Sequence, residues 1–363
     1  MRLLSNNPNL LGSRIENFKF EKLSLSGGVY IHAGYYDEYF KEASISMDFT
    51  RDIISSANFL IQDTDSINYY SDLIRPWYIC NDVEYPLGTF MLMSPDKNSD
   101  GKIITRSIQA YDSLLALDQD KINVSYKVAA GTNVITAITT LLTSIGIWVN
   151  YNLEASTQTL PTDVCYEIGK SKLFIINSLL NMINYNPLWV NALGVFKATP
   201  WSEYSQPIWE FEDNAESLYK SGIDAKLDYT TMYNKVIILA NQLTADTSPL
   251  IATRTFEDEL MSTHPFSYTS IGRYITKLFQ SDAVSQTYVD LRARRELLKA
   301  LELQESINYK NAFVGLPEMN DCYTFKNTLL DLNARYKIVS LSWQLKFGTM
   351  VNTVIRRSTA SGY

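Results

Sequence analysis

The residues from Asp96 to Gly101 have the spacing of the first half of a calcium-binding loop. Asp96, Asn98 and Asp100 place oxygen ligands at loop positions 1, 3 and 5, and the required glycine follows at position 6. Position 12, where such a loop needs a bidentate glutamate, is Ser107, and the flanking sequence is typical of strands rather than helices. A polar hairpin loop therefore explains the segment better than a calcium site, and calcium binding stays open.

The chain has few histidines that could act in catalysis. The sequence contains only two histidines, His32 and His264, so a site with three histidine ligands is excluded within one chain. His264 follows the acidic run 257–259, but no Gly-x-Ser-x-Gly nucleophile elbow occurs anywhere. A structural or interface role is favoured for both histidines. We predict no catalytic, cofactor-binding or metal-ligating residue.

Two further segments have spacings that favour anion binding only weakly. Gly169-Lys-Ser171 resembles the end of a phosphate-binding loop, but Val164 stands where that loop needs its first glycine. The cluster Arg292, Arg294 and Arg295 could pair with acidic partners. A solvated helix face with glutamates of the same helix as partners is the simpler interpretation.

Two enzyme or binding classes remain as alternatives. Trp201 and Trp209, with Tyr204 between them, could form a platform on which a sugar stacks, although aromatic residues at strand spacing are more often core or subunit interface. Paired carboxylates could cleave a glycosidic bond in bacterial cell wall, but no pair is singled out by the sequence. The alternative functions are therefore a carbohydrate- or receptor-binding β protein and, less favoured by the sequence, a cell-wall hydrolase.

Composition excludes other classes. The 363 residues carry a net charge of −7, and the pI near 5.1 argues against wrapping of nucleic acid. Cysteines at the separated positions 80, 165 and 322 predict mostly buried thiols in a chain made in a reducing cytoplasm, not a disulfide framework. Residues 1–8 lack the apolar core of a signal peptide, and no apolar run is long enough to predict membrane insertion.

The elements that must position these residues begin with short strands. Strand patterns occupy 18–25, 28–34, 43–49, 74–80, 85–94 and 103–111, which favours a closed barrel or a sandwich. The alternation changes phase within 18–25, so a bulge is expected near Lys22. Asn81-Asp82 is expected to be the turn of a hairpin.

Helical patterns follow. Thr132 is expected to cap a helix that stops at Gly146, and Ser171 begins a second helix that Asn186-Pro187 ends. A hairpin is then predicted, with residues 189–190 and 195–198 around the loop 191–194.

Strand patterns return at 208–211, 223–229 and 234–241, with 236–240 as a central strand. Residues 281–307 are the most helical segment, and strands 338–345 and 349–355 close the chain.

These patterns divide the chain into four parts. A first β region spans 1–125, an α/β unit spans 126–204, and a second β region combines 205–265 with 319–363 around a helical insertion at 266–318. The fold class is therefore α+β and β-rich. The two β regions could be one fold used twice.

Short motifs in a fixed order run from about residue 15 to 355. They are 85–92 (YPLGTFML), 110–115 (AYDSLL), 120–122 (DKI), 131–132 (GT), 145–147 (IGI), 177–185 (NSLLNMINY), 193–196 (LGVF), 198–200 (ATP), 265–273 (PFSYTSIGR) and 319–321 (MND). In this order and spacing they resemble the tail hub proteins of tailed phages and phage-like particles, the family that includes the central baseplate hub of T-even phages.

The resemblance implies a structural protein without enzymatic activity or cofactors. Each chain would supply two related β-barrel tube domains, and three chains would form a pseudo-six-fold ring that joins the hexameric tail tube to a trimeric tip or spike. The expected location is the tail tip or baseplate of the virion, assembled in the cytoplasm of a bacterial host. Because the chain stops at Tyr363, we expect a hub without a fused hydrolase or spike.

The implied partners are two further copies of the chain, the tail tube and distal tail proteins, the tape-measure protein and the tip or spike protein. DNA would pass through the central channel without specific binding, and the acidic balance of the chain would limit its sticking there.

Overall fold

The fold is described from a computed structural model for residues 10–203, 207–240, 249–259, 262–302 and 305–358. Strands make up 44% of the protein and helices 17%, so the predicted β-rich α+β class is confirmed. No helix within these ranges is both long and apolar enough to cross a bilayer. Predictions that involve residues 1–8, Tyr204, residue 241 and Tyr363 lie outside the described residues.

The described strands and helices are numbered along the chain. The strands are β1 Glu16–Ser26, β2 Val29–Tyr35, β3 Phe40–Asp48, β4 Ser55–Gln62, β5 Leu73–Cys80, β6 Val83–Pro86, β7 Phe90–Ser99, β8 Ile104–Tyr111, β9 Tyr126–Val128, β10 Tyr151–Leu153, β11 Val164–Tyr166, β12 Trp189–Val190, β13 Phe196–Ala198, β14 Pro207–Phe211, β15 Asp224–Leu227, β16 Lys235–Ala240, β17 Leu250–Thr255, β18 Thr276–Ser281, β19 Glu305–Asn311, β20 Cys322–Asn327, β21 Leu332–Gln344 and β22 Val351–Arg357. The helices are α1 Leu114–Gln119, α2 Val134–Thr143, α3 Lys172–Met182, α4 Tyr268–Ile271 and α5 Gln286–Glu302.

Strands of both β regions form one 14-stranded sheet. Its order is β15-β19-β22-β21-β3-β4-β8-β7-β5-β1-β2, with β20 and β14 branching from β21 and β6 branching from β5. This strand order gives no closed barrel among the described residues. The two-barrel arrangement and the four domain boundaries therefore stay predictions.

Local features of the first β region follow the sequence pattern in part. The bulge predicted near Lys22 is wrong, because β1 pairs with β5 in unbroken register from Glu16 to Leu23. The extra residue lies instead on β2, where three steps from His32 to Tyr35 oppose two steps from Leu23 to Glu21. Asn81 and Asp82 join β5 to β6 with φ of 49° and 64°, as a two-residue hairpin turn requires.

Strand β21 connects the two β regions. Its first half pairs with β20 over residues 332–337, and its second half pairs with β3 over residues 340–344. An irregularity between Ile338 and Ser340 separates the two halves, which lets one long strand serve two partners. A ring cluster covers this connection, with Phe313 lying 4.9 Å from both Tyr78 of β5 and Trp343 of β21.

The middle of the chain is a small α/β unit. Helices α1 and α2 both pack against α3, and the predicted hairpin is confirmed by the pairing of β12 with β13. The predicted start of the second helix at Ser171 is confirmed, and the structure shows that Ser171 is the N-cap of α3. The helix ends at Met182, earlier than predicted, because Asn184 takes a left-handed φ of 55°. The first cap is Asn133 rather than Thr132.

A second buried cluster lies around β16, β17, β18 and α5. Strand β16 is central between β17 and β18, as its continuous apolar run predicts. The predicted helix at 281–307 is too long, since residue 281 ends β18 and residues 305–311 form β19. Val289, Leu297 and Leu301 of α5 are fully buried against this sheet, whereas the larger cluster unites the 14-stranded sheet with the α/β unit.

Candidate assembly surface

The two terminal strands of the large sheet expose backbone hydrogen-bonding groups. Within the described residues β2 pairs only with β1, and β15 pairs only with β19. Each strand therefore has one edge along which N–H and C=O groups have no strand partner. Such an edge can accept a strand from a second molecule, and proteins that remain monomeric usually shield it.

Apolar side chains are concentrated at the β2 edge. Val29 and Ile31 of β2 are about half exposed and share one face of the sheet. Tyr35 of β2 and Leu25 of β1 are also about half exposed and lie on the other face, since they pair with Glu21 and Tyr30. Lys19 Nζ lies 3.2 Å from the Tyr35 hydroxyl and 4.5 Å from the centre of its ring, which fixes the aromatic side chain on the surface. Exposed apolar side chains on both faces beside an unpaired edge are typical of a surface that another chain covers.

The β15 edge, at the opposite end of the sheet, has a different character. All four residues of β15 are exposed, and the charged Asp224 and Lys226 alternate with Ala225 and Leu227. Leu227 is 60% exposed. The two edges therefore differ in chemical character.

One face of the three-stranded sheet is also apolar and exposed. The other face, which includes Val236 and Ile238, is buried beneath α5. Because side chains alternate along strands, Ile237 and Leu239 of β16 lie on the opposite face, in register with Leu278 and Ile251. Ile251 is 53% exposed and Leu278 is 57% exposed, so this face has no cover among the described residues.

The segment with calcium-loop spacing is a hairpin. Asp96 and Asn98 belong to β7 and pair with Ser107 and Thr105 of β8, as the hairpin interpretation predicts. The Asp100 carboxylate accepts hydrogen bonds from the backbone N–H groups of residues 103 and 102, and these bonds lower its pKa. No cluster of three or more histidine, cysteine or carboxylate side chains suited to a metal occurs among the described residues.

Both histidines have structural surroundings. His264 is buried, its Nδ1 accepts a hydrogen bond from the backbone N–H of Phe266, and its ring meets Phe256 edge-on at 5.1 Å. His32 Nδ1 lies 2.9 Å from a carboxylate oxygen of Glu21. The same carboxylate accepts a hydrogen bond from the Trp77 indole, so it is already engaged in the sheet.

The predicted phosphate-loop fragment forms the start of a helix. Gly169 has a φ of 89°, which allows the turn before α3, and the Ser171 hydroxyl accepts the N–H of Phe174. The backbone N–H of Phe174 is therefore already bound by the capping side chain of Ser171.

The arginine cluster is not a solvated helix face. Arg294 forms ion pairs of 2.9 Å with Glu203 and 2.7 Å with Glu259. Arg295 is 5% exposed and donates from Nη1 to the Asn184 side chain at 3.3 Å and to the Tyr185 carbonyl at 3.0 Å. The solvated-face interpretation is wrong because this side of α5 packs against the α/β unit.

The two tryptophans do not form a shared platform. Trp209 of β14 is 3% exposed and belongs to the larger buried cluster. Trp201 is half-buried, and Lys337 Nζ lies 5.7 Å from its ring centre. Tyr204 lies outside the described residues. The predicted sugar platform fails because Trp209 has no exposed face on which a sugar could stack.

Comparison with known proteins gives fold relatives. No family model and no curated protein sequence matches the chain. A tail protein from Neisseria meningitidis MC58 aligns with 94% of this chain and 97% of its own, with a TM-score of 0.66 and 12% identity. The 43 kDa tail protein of prophage MuSo2 from Shewanella oneidensis aligns with 96% of this chain and 100% of its own, with a TM-score of 0.66 and 11% identity.

A third solved structure extends the likeness. A prophage tail protein from Listeria monocytogenes EGD-e aligns with 94% of this chain and 95% of its own, with a TM-score of 0.54 and 12% identity. All three likenesses span nearly the whole of both chains. The chain therefore has the fold of phage and prophage tail proteins, in agreement with the resemblance seen in its motifs.

Proposed function

We propose that this protein is the structural hub at the distal end of a phage or phage-like tail. The observation that carries the proposal is the open 14-stranded sheet with unlike, unpaired edges at β2 and β15. Unlike edges that meet head to tail generate closed rings when the rotation between copies closes. A homotrimeric ring is the arrangement that the hub resemblance implies.

The connection inside one chain supports the same arrangement. Strands β3 and β21 pair in antiparallel fashion and join the two β regions into one sheet. In the proposed ring this contact alternates with a β2–β15 contact between chains. Three chains, each with tube domains at 1–125 and at 205–265 plus 319–363, then present six similar units. This symmetry adapts the hexameric tail tube above to a trimeric tip or spike below.

The proposed role is structural and requires no cofactor. The partners are two further copies of this chain, the tube and distal tail proteins, the tape-measure protein and the tip or spike protein. The location is the tail tip or baseplate, after assembly in the host cytoplasm. DNA crosses the channel without specific contacts.

The stoichiometry of assembled tails tests the hub role directly. Native mass spectrometry of the wild-type chain, recovered from tails produced with the neighbouring tail genes, should give three copies per tail. A different copy number in assembled tails would overturn the proposal. A monomer of the isolated chain would not do so, because hub chains can trimerise during assembly.

A charge-matched pair of variants tests the β2 edge separately. Val29→Lys with Ile31→Lys places two positive charges on the edge, whereas Tyr70→Lys with Leu329→Lys adds them at side chains that are 98% and 92% exposed. We expect the edge variant to be absent from tails and the control variant to assemble normally. Equal assembly of both would exclude β2 as the contact while leaving the copy number to decide the hub role.

A further inference from the structure

A cleft of about 410 Å³ lies where the smaller buried cluster meets the large sheet. Helix α5 and strand β18 form one wall, and strands β21 and β22 form another. Five cationic side chains line it, namely Lys277, Arg295, Lys299, Lys337 and Arg356. A cleft of this volume is within the range that binds small ligands.

The positive charge in the cleft exceeds the negative charge. The lining contains two carboxylates, Glu296 and Glu302, so five cations against two anions leave an excess of three positive charges. Lys299 Nζ lies 3.2 Å from Glu296, and Lys337 pairs with Glu302. This excess occurs in a chain whose net charge is −7.

Lys277 and Arg356 have no carboxylate partner within the described part of the chain. Lys277 Nζ instead lies 4.9 Å from the ring centre of Tyr233 and 5.2 Å from that of Phe279. Aromatic faces hold an ammonium group without neutralising it. The cation therefore stays at the cleft with its charge available to a ligand.

The buried guanidinium of Arg295 is incompletely hydrogen-bonded. Its Nη1 has two acceptors, but Nε makes no hydrogen bond and lies 3.9 Å from the nearest oxygen of Glu296. A buried charged donor without an acceptor costs free energy, and a bound oxyanion would supply acceptors. The planar fork of arginine matches the geometry of a phosphate.

Lys299 adds a second indication. Burial and the neighbouring Arg295 charge lower the pKa of the Lys299 ammonium. Like charges held together on one side of α5 would be stabilised by an anion between them.

We propose that this cleft binds a small, multiply charged oxyanion of the phosphate class. The ligand is either an inorganic polyphosphate or the phosphate chain of a nucleotide. Binding here is independent of the proposed hub role, since the cleft does not include the β2 or β15 edge.

Isothermal titration calorimetry on the full chain at low salt tests the proposal. Sodium tripolyphosphate is the first probe, and adenosine triphosphate is the second. Saturable binding of both with similar dissociation constants would indicate recognition of the phosphate chain alone. Tighter binding of the nucleotide would indicate that Trp201 or Tyr233 also contacts the base.

Three variants locate the binding. Lys277→Gln and Lys299→Gln each remove one cleft charge, and Lys102→Gln removes one from the exposed β7–β8 turn. We expect each cleft variant to raise the dissociation constant at least tenfold and the control to change it less than twofold. Unfolding midpoints of the three variants establish that each is folded, and Lys277→Gln is the safer variant because Lys277 is exposed.

Two results would overturn the inference. Absence of saturable tripolyphosphate binding by the wild-type chain would exclude the ligand class. An equal loss of affinity in Lys102→Gln and the cleft variants would reduce the effect to non-specific attraction.

Discussion

At the residue scale, Asp112 predicts a pH-dependent stability. Its side chain is buried and accepts hydrogen bonds from the backbone N–H groups of Ser55 at 2.7 Å and Leu114 at 3.0 Å. Burial outweighs these bonds and raises the pKa of Asp112 to about 7. Because the folded state then binds the proton more tightly than the unfolded chain, the contribution of Asp112 to stability is fully present below about pH 4 and is lost as the pH rises through about 7.

Asp112→Asn should remove this dependence. We expect the wild-type free energy of unfolding to fall by up to about 4 kcal/mol between pH 4 and pH 7 through this group, and the variant to lack that slope. Urea unfolding at several pH values measures both. Asp65→Asn, at an exposed position, is the matched control and should keep the wild-type slope. A slope unchanged in Asp112→Asn would contradict the prediction.

Residue chemistry was only partly readable from the sequence. Ser107 stands where a calcium loop needs glutamate, and this departure favoured the hairpin that the structure contains. Burial was not readable, because it depends on what packs on a helix from elsewhere in the chain. Arg295 meets residues 110 and 111 positions away, and that contact turns an apparently solvated face into the wall of a cleft.

At the element scale, the neighbouring residues Thr132 and Asn133 differ in what they contribute to the start of α2. The Asn133 side chain accepts the N–H of Thr136 at 3.1 Å and donates to the carbonyl of Ser156 at 2.7 Å. Thr132 contributes no side-chain cap to α2. Asn133→Ala should therefore lower the free energy of unfolding by about 1–2 kcal/mol, and Thr132→Ala should lower it by less than about 0.5 kcal/mol. Urea midpoints of the two variants compare these costs, and a larger loss in Thr132→Ala would show that the cap is misassigned.

Elements were predictable where the signal is local. The Asn81-Asp82 turn and the start of the second helix at Ser171 both follow from a few adjacent residues. The prediction at 281–307 erred because both ends of that segment are strands whose partners are distant. Residue 281 pairs with Ala240, and Ser306 pairs with Arg356. Tertiary pairing thus overrides the helical pattern at its margins.

At the scale of the whole molecule, the sequence indicated two β regions but did not predict that their strands form one sheet. The pairing of Ser340 with Asp48 joins strands almost 300 positions apart, and periodicity carries no information about such partners. The same holds for the parallel pairing of β16 with β18, which creates a second buried cluster. The motifs anticipated the tail-protein fold because they sample the whole chain in order.

The two buried clusters predict two separable regions of stability. Leu297 is wholly buried in the smaller cluster, and Phe313 is 5% exposed in the larger. Leu297→Ala and Phe313→Ala should each cost roughly 2–5 kcal/mol of local stability by leaving a cavity. Hydrogen exchange with mass spectrometry should show faster exchange in β16 and β18 for Leu297→Ala, while β4 and β8 stay protected.

Phe313→Ala should give the converse pattern and reach β5 and β21, because its ring lies between Tyr78 and Trp343. If either variant instead accelerated exchange equally across all described strands, the two clusters would unfold as one cooperative unit. The cleft between the two clusters, which α5, β18, β21 and β22 line, would then be part of a single rigid core. If the patterns differ as expected, a ligand that contacts α5 and β21 together should slow exchange in both regions at once, since it can bind only while the two clusters are in place.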